Sequence, residues 1–115
     1  RVLVVSPVYF YGLTAQTKTF IDRSQASWSR RYLLGVRHRH EEDRKGYLLS
    51  VAATKGAKVF DSSLLVMKYF YDAVDIPFAD SFLLKGVDHQ GAVRELPAEL
   101  ERAEAFGREI AAGLR

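Results

Sequence analysis

Val2-Leu3-Val4-Val5-Ser6-Pro7-Val8-Tyr9-Phe10-Tyr11-Gly12-Leu13-Thr14-Ala15-Gln16 is the stretch that decides how this chain folds. Val2 to Val5 is apolar, rich in β-branched residues and does not alternate, which predicts a strand buried on both faces of a parallel sheet. Pro7 has no N–H and pushes Ser6 out of the helical region, so the strand is expected to stop there. Gly12 is expected to supply the backbone freedom for the turn. From Leu13 onward, Leu13, Thr17, Phe20 and Ile21 fall at helical spacing, with Thr14 placed to cap. Strand, aromatic loop, helix is therefore the unit. In an open parallel sheet, ligands bind outside the carboxyl ends of the strands, where Tyr9, Phe10 and Tyr11 would sit.

The same unit recurs downstream. Gly46 to Ala53 reads as a second buried strand, followed by a small-residue loop with two cations, Thr54-Lys55-Gly56-Ala57-Lys58, where backbone N–H groups can approach a ligand closely. Asp61 or Ser62 is placed to cap the next helix, with Leu64, Leu65, Met67, Tyr71 and Val74 as its inner side, and Pro77 ends it. A third strand is centred on Ser81 to Leu84. Pro97 then opens a last helix whose face is marked by Leu96, Leu100, Ala103, Phe106, Ile110 and Leu114. Strands alternating with helices predict an α/β fold with a parallel sheet, neighbouring strands near Val2–Ser6, Tyr47–Ala53 and Ala79–Lys85, and helices on both faces.

Between the first two units lies Ser24 to Gly46, with Trp28, Tyr32, Leu33 and Leu34 as apolar anchors. It ends in the mixed charge run Arg37-His38-Arg39-His40-Glu41-Glu42-Asp43-Arg44-Lys45, which reads as an exposed, loosely packed loop or insertion. His38 and His40 lack a carboxylate or thiolate at metal-motif spacing, so no metal site is assigned.

Composition narrows the function. With 115 residues, 48% of them apolar and 27% charged, the chain forms one domain over residues 1–115 with a real core. No apolar stretch is long enough to span a bilayer. There are no cysteines, so neither a disulfide nor a thiolate-held cluster can form within it. A net charge of +3 falls short of a nucleic-acid signature. Neither a Gly-x-Ser-x-Gly elbow, a Gly-x-Gly-x-x-Gly fingerprint nor a Walker A loop is present. No catalytic acid, base or nucleophile is assigned. A cofactor site remains.

Ser6-Pro7-Val8-Tyr9-Phe10 followed by Ala15-Gln16-Thr17-Lys18-Thr19-Phe20-Ile21-Asp22-Arg23 resembles the SPVYxxxxxAQxKxFIDR stretch of flavodoxin-like, FMN-dependent NAD(P)H reductases and iron-sulfur flavoproteins. Ala52-Ala53-Thr54-Lys55-Gly56 and Lys68-Tyr69-Phe70-Tyr71-Asp72 continue the resemblance. It implies a cytoplasmic oxidoreductase, a dimer or tetramer, that passes hydride from NAD(P)H to bound FMN. The alternatives are a flavin electron carrier or iron-sulfur flavoprotein, and, from another class, a non-enzymatic binding module. Ser6, Pro7, Val8, Tyr9, Phe10, Tyr11 and Gly12, with Ala53, Thr54, Lys55 and Gly56, are then expected to line FMN, near a helix N-terminus whose positive partial charge favours the reduced flavin. No nucleic-acid or membrane partner is expected.

The flavodoxin-like sheet has five strands in the order 2-1-3-4-5. The family's phosphate-binding loop follows its first strand and the Ser-Pro-x-Tyr motif its third. No phosphate loop precedes the motif here, so the chain is expected to be the C-terminal part of a longer protein, without the first two strands.

Overall fold

The computed structural model describes residues 1–37 and 43–115. Its elements run β1 (Val2–Pro7), α1 (Ala15–Asp22), α2 (Gln25–Tyr32), β2 (Gly46–Ala52), α3 (Asp61–Ala73), β3 (Phe78–Lys85), a short 3-10 turn at Ala92–Glu95 and α4 (Pro97–Ala112). The strands form one sheet in the order β1-β2-β3. Both pairings are parallel, with Leu48 opposite Val4 on one side and Ser81 on the other. Parallel neighbours in chain order are consistent with a flavodoxin-like α/β sheet.

Consecutive residues of the central strand face opposite sides. Leu48 packs with Ile21 of α1 and Met67, Phe70 and Tyr71 of α3. Tyr47 packs with Phe82 of β3 and with Phe106 and Ile110 of α4. Helices thus cover both faces, and Tyr47 and Leu48 are each fully buried. Burial of one such side chain contributes about 1.5–3 kcal/mol. The Tyr71 hydroxyl reaches into the sheet. It accepts the Tyr47 N–H at 3.1 Å and lies 2.7 Å from the Tyr47 carbonyl and 3.0 Å from that of Val2.

Several expectations need correction. β1 is buried on one face only. Val4 packs under α3, but Leu3 is 40% and Val5 61% exposed, because α4 lies over β2 and β3 and leaves the edge strand open. β1 ends at Pro7, as expected, one residue past Ser6, and Pro7 pairs with Val51. The N–H groups of Val2 and Val8 donate to Lys45 and Val51 of the β2 side, so the alternate residue Pro7 would have aimed an N–H at the open edge and loses no ladder bond. Asp61 is the first residue of α3 rather than its cap, which falls at Phe60. Leu65, Leu96, Leu100 and Leu114 are exposed rather than inward.

The segment after α1 holds a second helix, α2, that buries no residue fully; Arg31 and Tyr32 tie it to Asp72 of α3. Of the charged run, residues 38–42, and with them both histidines, lie outside the described residues. Its described flanks Arg37 and Asp43 are exposed, as expected, but carry ion pairs. Arg37 pairs with the buried carboxylate of Asp75 at 2.6 Å, Asp43 pairs with Arg1 at 2.7 Å, and Lys45 donates to the Arg115 carbonyl at 2.9 Å. Among the described residues, no helix is long and apolar enough to cross a membrane.

Candidate functional site

Two loops leave the carboxyl ends of β1 and β2. The first is rooted by Ser6, whose buried hydroxyl donates to the Pro7 carbonyl at 2.9 Å and accepts the Thr14 N–H at 3.2 Å. The Ser50 hydroxyl donates to the Ser6 carbonyl at 2.7 Å from β2. Thr14 in turn caps α1, accepting the Thr17 N–H at 3.2 Å. Both ends of the loop are therefore fixed to the sheet and to a helix N-terminus.

Within these roots the chain reverses in a tight turn. Tyr9 and Gly12 exchange both backbone hydrogen bonds, at 3.0 and 3.1 Å. Phe10 and Tyr11 occupy its centre with φ of 48° and 62°. Two central residues of positive φ define the type I′ geometry, which ordinarily calls for Asn-Gly. Here two bulky aromatics hold it, each at a steric cost of about 1–2 kcal/mol. Gly12, where the sequence placed the conformational freedom, has no positive φ. Phe10 is fully exposed, and Tyr9 and Tyr11 are more than half exposed or nearly so.

The second loop, Ala53 to Gly56, carries its first three residues to solvent. A Lys85 ammonium at the end of β3 donates to the Gly56 carbonyl at 2.8 Å. The loops meet. Val8, Phe10 and Tyr11 of the first, with Ala52, Ala53, Thr54 and Val59 around the second, line a hollow of about 240 Å³. A side chain on Gly56 would begin 2.7 Å from the Tyr11 hydroxyl. At Gly12 a Cβ would meet nothing closer than 3.9 Å, where its neighbours are Ser62 at the start of α3 and the Tyr9 carbonyl.

Of the residues singled out in the sequence, Val8, Phe10, Tyr11, Ala53 and Thr54 thus share one hollow, and Gly56 abuts it through Tyr11. Ser6 and Pro7 support it from the strand. Lys55 turns away, its stem lying over Gly86. Ala52 and Val59 line the hollow without having been singled out as site residues; both are apolar and follow the strand pattern, which marks them as core. Hollows of about 410 and 520 Å³ lie among α1, α2 and α3 and at the start of β3. Both are larger, but neither touches the carboxyl ends where parallel sheets bind ligands. At about 240 Å³ the loop hollow is smaller than the roughly 300–1,000 Å³ of a complete small-molecule pocket. It suits one edge of a flat, largely apolar ring.

A family model described as NADPH-dependent FMN reductase matches residues 1–83, a span holding β1, both loops, α3 and most of β3. Among solved structures, the chain is similar to the Trp repressor binding protein from Bacillus subtilis, with a TM-score of 0.57 and 15% identity; the match covers 98% of this chain and 61% of that one. At that identity the likeness is one of fold, and the chain spans 61% of that structure's length. No curated protein matches it.

Proposed function

We propose, for a chain that belongs to the NADPH-dependent FMN reductase family, that the hollow between the Pro7–Gly12 and Ala53–Gly56 loops holds the ring system of FMN in an NAD(P)H-dependent oxidoreductase. The observation that carries this reading is the strained turn. Phe10 and Tyr11 are kept in a left-handed conformation beside a small-residue loop at the carboxyl ends of two parallel strands. Such strain collects at ligand sites, where the surrounding structure over-determines it.

The residues fit a flat ring with an apolar body. Val8, Ala52 and Ala53 offer small apolar walls, and Phe10 and Tyr11 offer faces for stacking. Gly12 carries no side chain where a Cβ would reach contact with Ser62 and the Tyr9 carbonyl at 3.9 Å. The N-terminus of α1, fixed by Thr14, brings positive partial charge to the same side. Bound FMN supplies the hydride-accepting and electron-passing chemistry. The chain's own part is to orient the ring, exclude water from one edge and set the local field.

Titrating the protein with FMN and following quenching of flavin fluorescence tests this directly, with NADPH consumption as a second measurement. Saturable quenching, lost when Phe10 and Tyr11 are both replaced by Ala in a protein of unchanged circular dichroism, is the expected result. No quenching by the parent protein refutes the reading.

The homo-oligomer that the resemblance implies belongs to the same proposal. Phe20, Leu65 and Tyr69 are exposed on the outer side of α1 and α3, a placement suited to contact between copies. Light scattering that finds only the monomer refutes it.

A further inference from the structure

We propose that Lys85 is a positioning residue for this site: its ammonium fixes the Gly56 carbonyl and, through it, sets the Ala53–Gly56 loop against Tyr11. The inference rests on the FMN reading for its functional meaning and on the geometry alone for the hold on the loop.

The loops after β2 and β3 clasp each other. Lys85, opposite Ala52 in the register, sends its ammonium back to Gly56 at 2.8 Å. Lys55 sends its stem the other way, with Cε 2.8 Å from where a side chain on Gly86 would start; Gly86 has φ of +77°. The Val87 N–H closes the clasp by donating to the Ala52 carbonyl at 3.1 Å. Each loop thus lays a lysine across the other's glycine. Gly56 in turn lies against the Tyr11 hydroxyl, so the ammonium, the loop and the aromatic turn stand in sequence.

Lys85 is half-buried, and among the described residues no ion pair includes it. Partial burial of an ammonium without a carboxylate is unfavourable, and an apolar side chain would pack there at less cost. What the cation gains is a charge-assisted bond to a carbonyl, roughly twice as strong as a neutral one. Ala53, Thr54 and Lys55 are exposed. A segment with so little apolar packing sits at the low end of local stability, so the charge-assisted bond of Lys85, stronger than the 3.4 Å bond that the Val59 N–H donates to the same carbonyl, weighs most on its position. Ring-binding sites lose affinity when a supporting segment moves by more than about 0.5 Å.

The test compares Lys85→Met, which keeps the stem and removes the charge, with Lys85→Arg, which keeps the charge. Amide hydrogen exchange is followed at Val59 and Val87, whose N–H groups donate to the Gly56 and Ala52 carbonyls of the loop, in the flavin-free protein, with Leu48 to Ser50 as the internal standard, and FMN affinity by fluorescence titration. The expected result for Lys85→Met is about tenfold faster exchange at these two amides with the standard unchanged, and about tenfold weaker FMN binding, while Lys85→Arg stays near the parent in both. Unchanged exchange at these amides in Lys85→Met overturns the proposal, as does faster exchange with undiminished FMN binding, or an Arg variant as impaired as the Met variant. If the parent binds no FMN but Lys85→Met still loosens the loop, the FMN reading fails and the hold of Lys85 on the loop stands.

Discussion

The ring of Tyr71 stands where a side chain on Gly46 would have to go. An ideal Cβ on Gly46 falls 2.4 Å from Cε1 of that ring and 2.5 Å from Cδ1 and Cζ. The ring has nowhere to retreat, because it is fully buried and its hydroxyl is held by the Tyr47 backbone. The first residue of the central strand is a glycine so that α3 can drive a tyrosine into the sheet.

Gly46→Ala therefore forces either the ring or the strand to move. The expected cost is about 1–3 kcal/mol, as for other overpacked cores. Urea denaturation reads it as a lower midpoint at an unchanged slope. A variant as stable as the parent contradicts this packing.

Tyr71 also makes stability depend on alkaline pH. Burial away from water pushes its phenol up to about 12 in the fold, against about 10 in an unfolded chain. The folded value is the higher one, so this contribution is fully present below about pH 10 and is lost as pH rises towards 12. Tyr71→Phe should lower stability by about 1–3 kcal/mol at neutral pH, since the buried Tyr47 N–H loses its partner, and should flatten the decline between pH 10 and pH 12. Urea midpoints measured across that range check both, and a parent and variant with the same alkaline slope would rule out Tyr71 as its source.

Phe10→Asn trades function for stability. Phe10 is fully exposed and buries nothing that Asn would forfeit, whereas Asn tolerates the left-handed conformation that Phe10 holds at φ 48°. The variant should gain about 0.5–1 kcal/mol and bind FMN more weakly. Thermal unfolding together with flavin titration separates the two effects. A less stable variant would show that the turn is not strained.

The two loop glycines should behave differently. Gly12→Ala meets nothing closer than 3.9 Å and should leave stability within about 0.5 kcal/mol, so any loss of FMN affinity reports a ligand approaching that face. Gly56→Ala places a methyl 2.7 Å from the Tyr11 hydroxyl. The free end of a half-exposed side chain moves cheaply, so the fold should persist while Tyr11 is displaced and FMN affinity falls. Calorimetry and titration of both variants give the comparison, and equal FMN affinity in parent and Gly56→Ala would remove Tyr11 from the site.

The β-α alternation was legible because burial on a parallel sheet leaves a local record. The apolar runs at Val2–Val5 and Tyr47–Val51, the Thr14 cap and Pro97 at the start of α4 all announce themselves within a few residues. What escaped depends on distance in sequence or on the partner's position. The open face of Val5 follows from where α4 ends up rather than from anything in β1. Helix α2 is polar and buries no residue fully, so it has no apolar stripe to read. The convergence of the two loops followed from strand order, but the turn itself did not. Its left-handed residues are Phe10 and Tyr11, where local preference points to the neighbouring Gly12. The ties of Lys85 to Gly56 and of Tyr71 to Tyr47 join separate elements and leave no periodicity at all.

The central place of β2 also governs how the molecule must assemble. Val2 finds Gly46, and Gly46 finds Phe78, so each pairing closes a stretch of roughly 30 to 45 residues, at an entropic cost that precedes any reward from the contact. No hairpin can start the sheet. Helices α1 and α3 can form early, but until one outer strand docks, the apolar run Tyr47 to Val51 has no partner. Assembly is expected to run at the measured pace of mixed α/β domains rather than that of helical bundles, and its slow step is the capture of that strand. The apolar run Tyr47 to Val51 is thus the segment whose exposure before docking most invites aggregation.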